Sequence, residues 1–275
     1  MNPDISPREL ERIAFRIAGQ ASGYLRDLFG QEELSVVVGQ GASGDTTRRI
    51  DAMAEDFTIE LLRSTGLDLL IVSEEKGVIK ASEKPSLIVL MDPLDGSLNY
   101  TLGIPNVAVS IVFYDVENPY LSRALAGAVS IVFTKEIYSF DDRIVYLNET
   151  PIENYRSRRS GIAVIYTNST LTFRAVYRFM VENCGSDTRL RVLGSAAMES
   201  VFAALGKIEV FLHNTGRLRN LDVAGGYAIA QRLGAKIIDT NGKPVDSRAD
   251  NIDFIKSIII GSEKILKLPD YLKGL

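Results

Sequence analysis

The sequence predicts an α+β protein whose sheets mix strand directions. Three observations carry that reading. Two stretches of helical periodicity come early, short β-branched or aromatic runs then follow one another closely, and the second half returns to alternating strand and helix patterns. A doubly wound parallel sheet needs a helix after each strand, so the crowded middle implies antiparallel pairing.

Taken in order, Leu10, Ile13, Ala14, Ile17, Ala21, Tyr24, Leu25 and Leu28 recur at i, i+3 and i+4, which predicts an amphipathic helix over 10–28. Ile50, Met53, Ala54, Phe57, Leu61 and Leu62 predict a second over 50–62. Between them the apolar run 36–38 enters Gly39-Gln40-Gly41-Ala42-Ser43-Gly44, spelled G-x-G-x-x-G. Three glycines at this spacing suit the phosphate cradle of a dinucleotide or a loop serving another site, and the spelling alone does not choose.

Strands are predicted at 69–72, 87–91, 107–113, 126–133 and 144–147, each bounded by Gly, Pro, Asp or Asn. The second half predicts strands at 162–166, 190–193, 208–212, 235–238 and 258–260, with helices at 171–182, 196–205 and 223–233. The Arg-Ser-Arg-Arg-Ser run at 156–160 reads as a solvated turn, with a subunit or ligand contact as the alternative. No linker, repeat or low-complexity segment interrupts the chain.

At 275 residues and 46% hydrophobic, the chain can bury a large core as one domain or two coupled halves. A net charge of −4 gives no basic field for a polyanion, so a small substrate is expected and nucleic acid is not. A single cysteine, Cys184, excludes an intramolecular disulfide and argues against structural zinc. With no secretory leader pattern and no run of 18 apolar residues, a soluble cytoplasmic protein without membrane association is expected. The one histidine, His213, closes an apolar run and reads as a surface or hydrogen-bonded residue. Acid, base or metal chemistry therefore falls to carboxylates.

The sharpest segment is LIVLMDPLDGSLNY at 87–100. An apolar strand ends in Asp92, Pro93 is expected to force a turn, and Asp95 follows, so two carboxylates converge at a strand end; a plain Pro-Asp-Gly turn is the alternative. The strand at 69–72 ends in Ser73-Glu74-Glu75, and if the two strands are neighbours Glu74 lies beside Asp92. Such an oxygen-only set suits a hard divalent cation; a solvated strand end is the alternative. An EF-hand is excluded because the loop lacks the alternating ligands and the distal Glu. Gly96-Ser97-Leu98-Asn99 can open a helical turn whose free N–H groups seat an anion near the acids. Asp222 opens a later helix, as an N-cap, as a metal ligand or as both, and Ala224, Gly225 and Gly226 behind it permit close approach by other backbone.

Ser73-Glu74-Glu75, Asp92-Pro93-Leu94-Asp95-Gly96-Ser97-Leu98-Asn99 and Leu221-Asp222-Val223-Ala224-Gly225-Gly226 together resemble the inositol monophosphatase superfamily, which shows an E-E pair, D-P-x-D-G-[ST]-x-N and W-D-x-A-[AG]-G in this order. Gly194-Ser195-Ala196-Ala197 and the stretch 238–244 also resemble its G-[ST]-A-A and D-x-x-G-x-P segments. The resemblance spans most of the chain. It implies a layered α/β/α/β/α sandwich of the sugar-phosphatase type, one catalytic domain over 1–275 with subdomains at about 1–160 and 161–275, and a homodimer or homotetramer.

The resemblance also implies a site. Glu74, Asp92 and the Leu94 carbonyl would hold one Mg²⁺, and Asp92, Asp95 and Asp222 a second. Glu74 and Glu75 would hold a weaker third, with Mn²⁺ an alternative metal. Ser97 would orient the attacking water and relay its proton toward Asp51, while the amides of Gly96 and Ser97 grip the phosphate. Arg191, Ser195, Ala196, Arg217 and Arg219 lie where the family contacts the sugar or polyol, though each arginine taken alone suits a surface ion pair. Paired arginines at 217 and 219 would suit a second phosphate, which leans the reading toward the branch acting on fructose 1,6-bisphosphate and inositol 1-phosphate.

The glycine-rich loop then becomes a mobile active-site loop, with Asp45 near an auxiliary metal or capping the loop. One departure is Leu221, where the family carries Trp; the chain has no tryptophan. Three alternatives stay open: a phosphatase for 3′-phosphoadenosine 5′-phosphate or NADP, a non-catalytic sugar-phosphate binder, and a dinucleotide oxidoreductase.

Overall fold

A computed structural model describes residues 5–42, 44–155, 158–185 and 187–274. Arg156 and Ser157 of the basic run, and Ser43 of the glycine-rich loop, lie outside the described residues. Helix α1 (Pro7–Leu28) starts on a capping box, in which Ser6 and Glu9 satisfy each other's backbone N–H groups and Pro7 occupies the first turn. The chain then forms a hairpin, β1 (Val37–Gln40) and β2 (Thr46–Arg48), that stands apart from the main sheets. Val37 and Val38 therefore remain exposed in spite of their apolar character. Helix α2 (Arg49–Arg63) packs beside α1, with the Tyr24 and Phe57 rings stacked 4.4 Å apart.

Next come β3 (Leu69–Ser73), β4 (Gly77–Lys80), β5 (Leu87–Asp95), the short helix α3 (Ser97–Thr101), β6 (Ala108–Asp115), β7 (Ala126–Ile131), β8 (Glu136–Phe140), β9 (Val145–Leu147) and β10 (Thr150–Ile152). Among the described residues eight of these strands form one sheet in the order β10-β9-β8-β7-β6-β5-β3-β4. Only β3 and β5 run parallel; every other pair is antiparallel, as the close spacing of the runs predicts. Along β5 the period of two divides the apolar side chains. Leu87, Val89 and Met91 join the core under α1 and α2, and Ile88 and Leu90 face the opposite layer.

The second half supplies β11 (Ile162–Tyr166), α4 (Thr170–Cys184), β12 (Arg189–Arg191), α5 (Ala196–Ala204), β13 (Val210–His213), β14 (Leu218–Arg219), α6 (Asn220–Leu233), β15 (Lys236–Ile238), β16 (Phe254–Ile255), β17 (Ile258–Gly261) and α7 (Leu268–Leu272). Strands β12-β11-β13-β17-β15 make a second, mixed sheet. Helices α5 and α6 share a core with both sheets, while α4 and α7 cover the outer face of the second. The layers thus run α1/α2, sheet, α5/α6, sheet, α4/α7, which is the α/β/α/β/α sandwich expected.

Three local expectations are corrected. Pro93 does not turn the chain: β5 continues through Asp92-Pro93-Leu94 to Asp95, with a register irregularity against β6 between Asp92 and Asp95. A bulge tolerates proline because the residue there owes no ladder N–H. The glycines of α6 admit side chains more than backbone: a Cβ on Gly225 would stand 2.2 Å from Val129 Cγ2, and one on Gly226 2.0 Å from Ser200 Oγ. His213 is not a surface residue: its ring is buried and stacks on Tyr166 at 5.0 Å, with Nδ1 lacking a hydrogen-bond partner among the described residues. Burial lowers its pKa to about 4, so it stays neutral.

Candidate active site

The acidic residues converge because two parallel strands and one helix end at the same place. β3 and β5 pair in register from Leu69 with Leu87 to Ser73 with Met91, so Glu74, just past the end of β3, falls next in register to Asp92 within β5. Asp92 is fully buried, and its Oδ1 accepts the Leu94 N–H at 3.0 Å while Oδ2 has no hydrogen-bond partner among the described residues. Asp95, also buried, is gripped from the second half: Ser195 Oγ donates to its Oδ2, and the Ala197 N–H reaches the same oxygen at 2.8 Å. Asp222 comes from the first turn of α6.

Asp222 is not the helix N-cap. Arg219 is, and Asp222 sits at the third helical position, where Oδ2 accepts the Arg219 N–H at 2.7 Å. The same arrangement occurs at α2, where Asp51 Oδ2 accepts the Arg48 N–H at 2.7 Å. Both stretches read R-x-x-D, so one local device aims two carboxylates from two helix starts. Asp51 Oδ1 is buried without a partner among the described residues.

Electrostatics couple this set. Burial lifts the Glu74 pKa to about 7, helped by Asp222 and opposed by Arg219. Burial lifts Asp95 to about 8, with Asp222 adding to it. Asp92 is raised by burial first and then by Glu74, Asp95 and Asp222. Asp51 rises to about 6, mainly through burial, and Glu75 is also raised by burial. Mutually repelling buried carboxylates with orphaned oxygens are the donor chemistry that a hard divalent cation satisfies, so these residues fit Mg²⁺ or Mn²⁺. Among the described residues, however, no three acids are drawn together as tightly as a bound ion would draw them.

Arg219 lies among these acids. Its guanidinium bonds to Asp222 Oδ1 through Nη2 at 2.7 Å and Nε at 3.0 Å, to Glu74 Oε1 through Nη1 at 2.5 Å, and lies 3.4 Å from Asp45 Oδ2. Burial opposes its charge, but Asp222 and Glu74 outweigh that and raise its pKa. The expected pairing of Arg217 with Arg219 does not form: Arg217 is exposed on the preceding turn, whereas Arg219 is buried among the acids. Arg191 is exposed too, and donates to the neighbouring Leu190 carbonyl at 2.9 Å.

At the anion seat, Gly96 caps α3 with φ +91°, and a Cβ there would stand 2.8 Å from the Asn106 carbonyl and 3.0 Å from that of Gly194. Glycine is required on both counts. Its conformation starts α3, whose first amides have no intrahelical partner. Ser97 Oγ lies 3.5 Å from Arg48 Nη1, and no bond joins it to Asp51 among the described residues. Ala196 is partly buried beside Ser195. The glycine-rich loop docks onto Glu75: the Ala42 N–H donates to its carbonyl at 2.9 Å, and Thr47 Oγ1 bonds its carboxylate. That contact serves the acid cluster and not a dinucleotide cradle.

Several residues escaped the sequence reading. Glu199, buried in α5, accepts from Tyr166 Oη at 2.5 Å and from the Leu193 N–H at 2.6 Å, and the Gly194 N–H donates to Tyr166 Oη at 2.7 Å. These bonds shape the turn that presents Ser195 to Asp95. Glu55, buried in α2, receives Ser73 Oγ and the Lys76 N–H at 3.1 Å, bracketing Glu74 and Glu75. A carboxylate at a buried helical position is the only signal that marked either one.

Comparison with known proteins identifies the family and the fold. Residues 6–264 match the sequence profile of the inositol monophosphatase family. An inositol-1-monophosphatase of Aeropyrum pernix is 31% identical over 265 residues, covering 95% of this chain and 96% of its own. A fructose-1,6-bisphosphatase/inositol-1-monophosphatase of Methanothermobacter thermautotrophicus is 31% identical over 246 residues, 85% of each chain. A crystal structure of an inositol monophosphatase-fructose 1,6-bisphosphatase superposes with a TM-score of 0.79 at 28% identity, covering 94% of this chain and 98% of that one.

Proposed function

This chain belongs to the inositol monophosphatase family, and on that premise we propose that it is a Mg²⁺-dependent phosphate monoester hydrolase acting on sugar and polyol phosphates, fructose 1,6-bisphosphate and inositol 1-phosphate among them. The observation that carries this reading is the set of four mutually repelling acids, Glu74, Asp92, Asp95 and Asp222, beside the open first turn of α3. Because the set draws on both halves of the chain, we read 1–275 as a single catalytic domain.

Glu74, Asp92 with the Leu94 carbonyl, Asp95 and Asp222 would hold the ions, with Glu75 at the margin. Bound there, divalent ions would supply positive charge for the phosphoryl oxygens and would lower the pKa of the attacking water. The protein does the rest. Ser195 and the Ala197 amide fix Asp95 against rotation. Asp51, lifted to about 6, is ionised at neutral pH yet basic enough to take the proton that Ser97 passes from the attacking water. The amides of Gly96 and Ser97 seat the phosphate through the anion preference of a helix start. Exposed Arg191 and Arg217, with partly buried Ala196, are the proposed contacts to the rest of the substrate, whereas Ser195 is buried with its hydroxyl on Asp95.

The test is phosphate release with Mg²⁺ from fructose 1,6-bisphosphate, inositol 1-phosphate, 3′-phosphoadenosine 5′-phosphate and NADP, alongside Asp92→Asn. Hydrolysis of the first two, falling by about 10³-fold or more in the variant, is expected, since removing a shared ligand removes charge stabilisation worth several kcal/mol. Turnover of the nucleotides alone would overturn the sugar assignment. Turnover of nothing with any divalent metal would overturn the enzyme.

A further inference from the structure

Arg219 is committed to the same oxygens that an entering ion would need. We infer that Arg219 is the resident counter-cation of the acid cluster, and that a divalent ion binds by taking Glu74 and Asp222 away from it. The inference rests on the metal-dependent reading above and adds a regulator of that site: the protein sets its own metal affinity through this competition.

Three features of the chain support it. The guanidinium spans two acids that come from opposite halves, Glu74 after β3 and Asp222 in α6, and it reaches toward Asp45 in the hairpin loop. Its planar fork can hold several carboxylates at once, which a lysine ammonium does less well. The guanidinium bonds Glu74 and Asp222 but not Asp92, whose Oδ2 has no hydrogen-bond partner among the described residues, so a divalent ion able to engage all three has a reason to displace it. The displacement is also mechanically simple. Arg219 is the N-cap of α6, and its backbone N–H holds Asp222 Oδ2 independently of the guanidinium, so the side chain can rotate away while the helix start stays intact.

The competition has two sides. The pairing steadies the acids when no ion is bound, and it weakens the apparent affinity for an ion by the free energy needed to break it. Equilibrium binding of Mn²⁺ by paramagnetic resonance, and melting with chelator or saturating Mn²⁺, on wild type, Arg219→Met and Arg219→Lys, separate these effects. Arg219→Met is expected to bind Mn²⁺ about tenfold more tightly or better, to melt lower than wild type in chelator, and to approach wild type when saturated. Arg219→Lys, which keeps the charge but loses the fork, should fall between.

Equal or weaker Mn²⁺ binding by Arg219→Met, or an equal loss of melting temperature in both conditions, would show a plain structural arginine and overturn the inference. If Arg219→Met does not fold, an affinity of Arg219→Lys no tighter than wild type overturns it instead. Wild type that binds no Mn²⁺ would instead sink the metal-dependent reading itself.

Discussion

Two buried acids in this molecule have opposite tasks, and their titration separates them. Glu199 positions a turn; burial lifts its pKa to about 7 even though Tyr166 and the Leu193 N–H favour its charged form. A carboxyl whose folded pKa exceeds its unfolded value holds its proton longer in the native state, so native stability falls as pH rises from about 4.5 to about 7 and is flat beyond. Each pKa unit is about 1.4 kcal/mol, which puts the full effect near 3 kcal/mol as an upper bound. Melts of Glu199→Gln between pH 5 and pH 8 should therefore show a flatter slope than wild type, and an unchanged slope would remove Glu199 from this account. On the function proposed above, Asp92 would be held for chemistry at a cost in stability, because it is fully buried and repelled by Glu74, Asp95 and Asp222. Asp92→Asn retains an oxygen for the Leu94 N–H, and in chelator it should melt higher than wild type by the equivalent of about 1 kcal/mol or more, while losing turnover. A lower melting temperature would mean that the buried carboxylate contributes to folding.

At the scale of elements, the central helices are set by what cannot be large. Gly225 lies against Val129 of β7 and Gly226 against Ser200 of α5, each closer than a methyl group tolerates. Gly225→Ala should cost about 1–3 kcal/mol by overpacking, and Val129→Ala in the same chain should recover much of it, because both changes address one contact. Denaturant melts of the two singles and the double would check this; strictly additive losses would mean that the crowding lies elsewhere. Helix α1, with its regular apolar stripe, was legible in the sequence, as was the antiparallel pairing of most middle strands, since closely spaced runs leave no room for intervening helices. Pro93 was misread because a bulge depends on the register of β6, which no local pattern records. The hairpin also defied its composition: three valines in a row suggest burial, but Val36, Val37 and Val38 all stay exposed. Arg219 was legible only as a substrate contact, since its pairing with Glu74 joins residues 145 apart in sequence.

On the scale of the whole molecule, the motifs were legible and their union was not. Each of Glu74, Asp92 and Asp222 reads alone as a strand end, a turn or a cap; the sandwich places them together by stacking two sheets on one pair of helices. On the function proposed above, that arrangement would make metal binding a contact between the halves, with Glu74, Asp92 and Asp95 on the first sheet's elements and Asp222 on α6, which packs against both sheets. An ion bound only by the native state stabilises it by RT ln(1 + [L]/Kd), about 2.7 kcal/mol at a hundredfold excess over Kd. For a chain of this length that corresponds to a rise in melting temperature on the order of 5 °C. Calorimetry with chelator and with saturating Mg²⁺ should show that rise as a shift of one cooperative transition. Asp222→Asn should shrink the shift and should also melt below wild type in chelator, because the amide weakens the buried pair with Arg219 as well as the ion's hold. Were the shift instead to appear as a splitting into two transitions, with only the later one moving, the ion would be gripping a single half, and the site would be less of a bridge than its geometry requires.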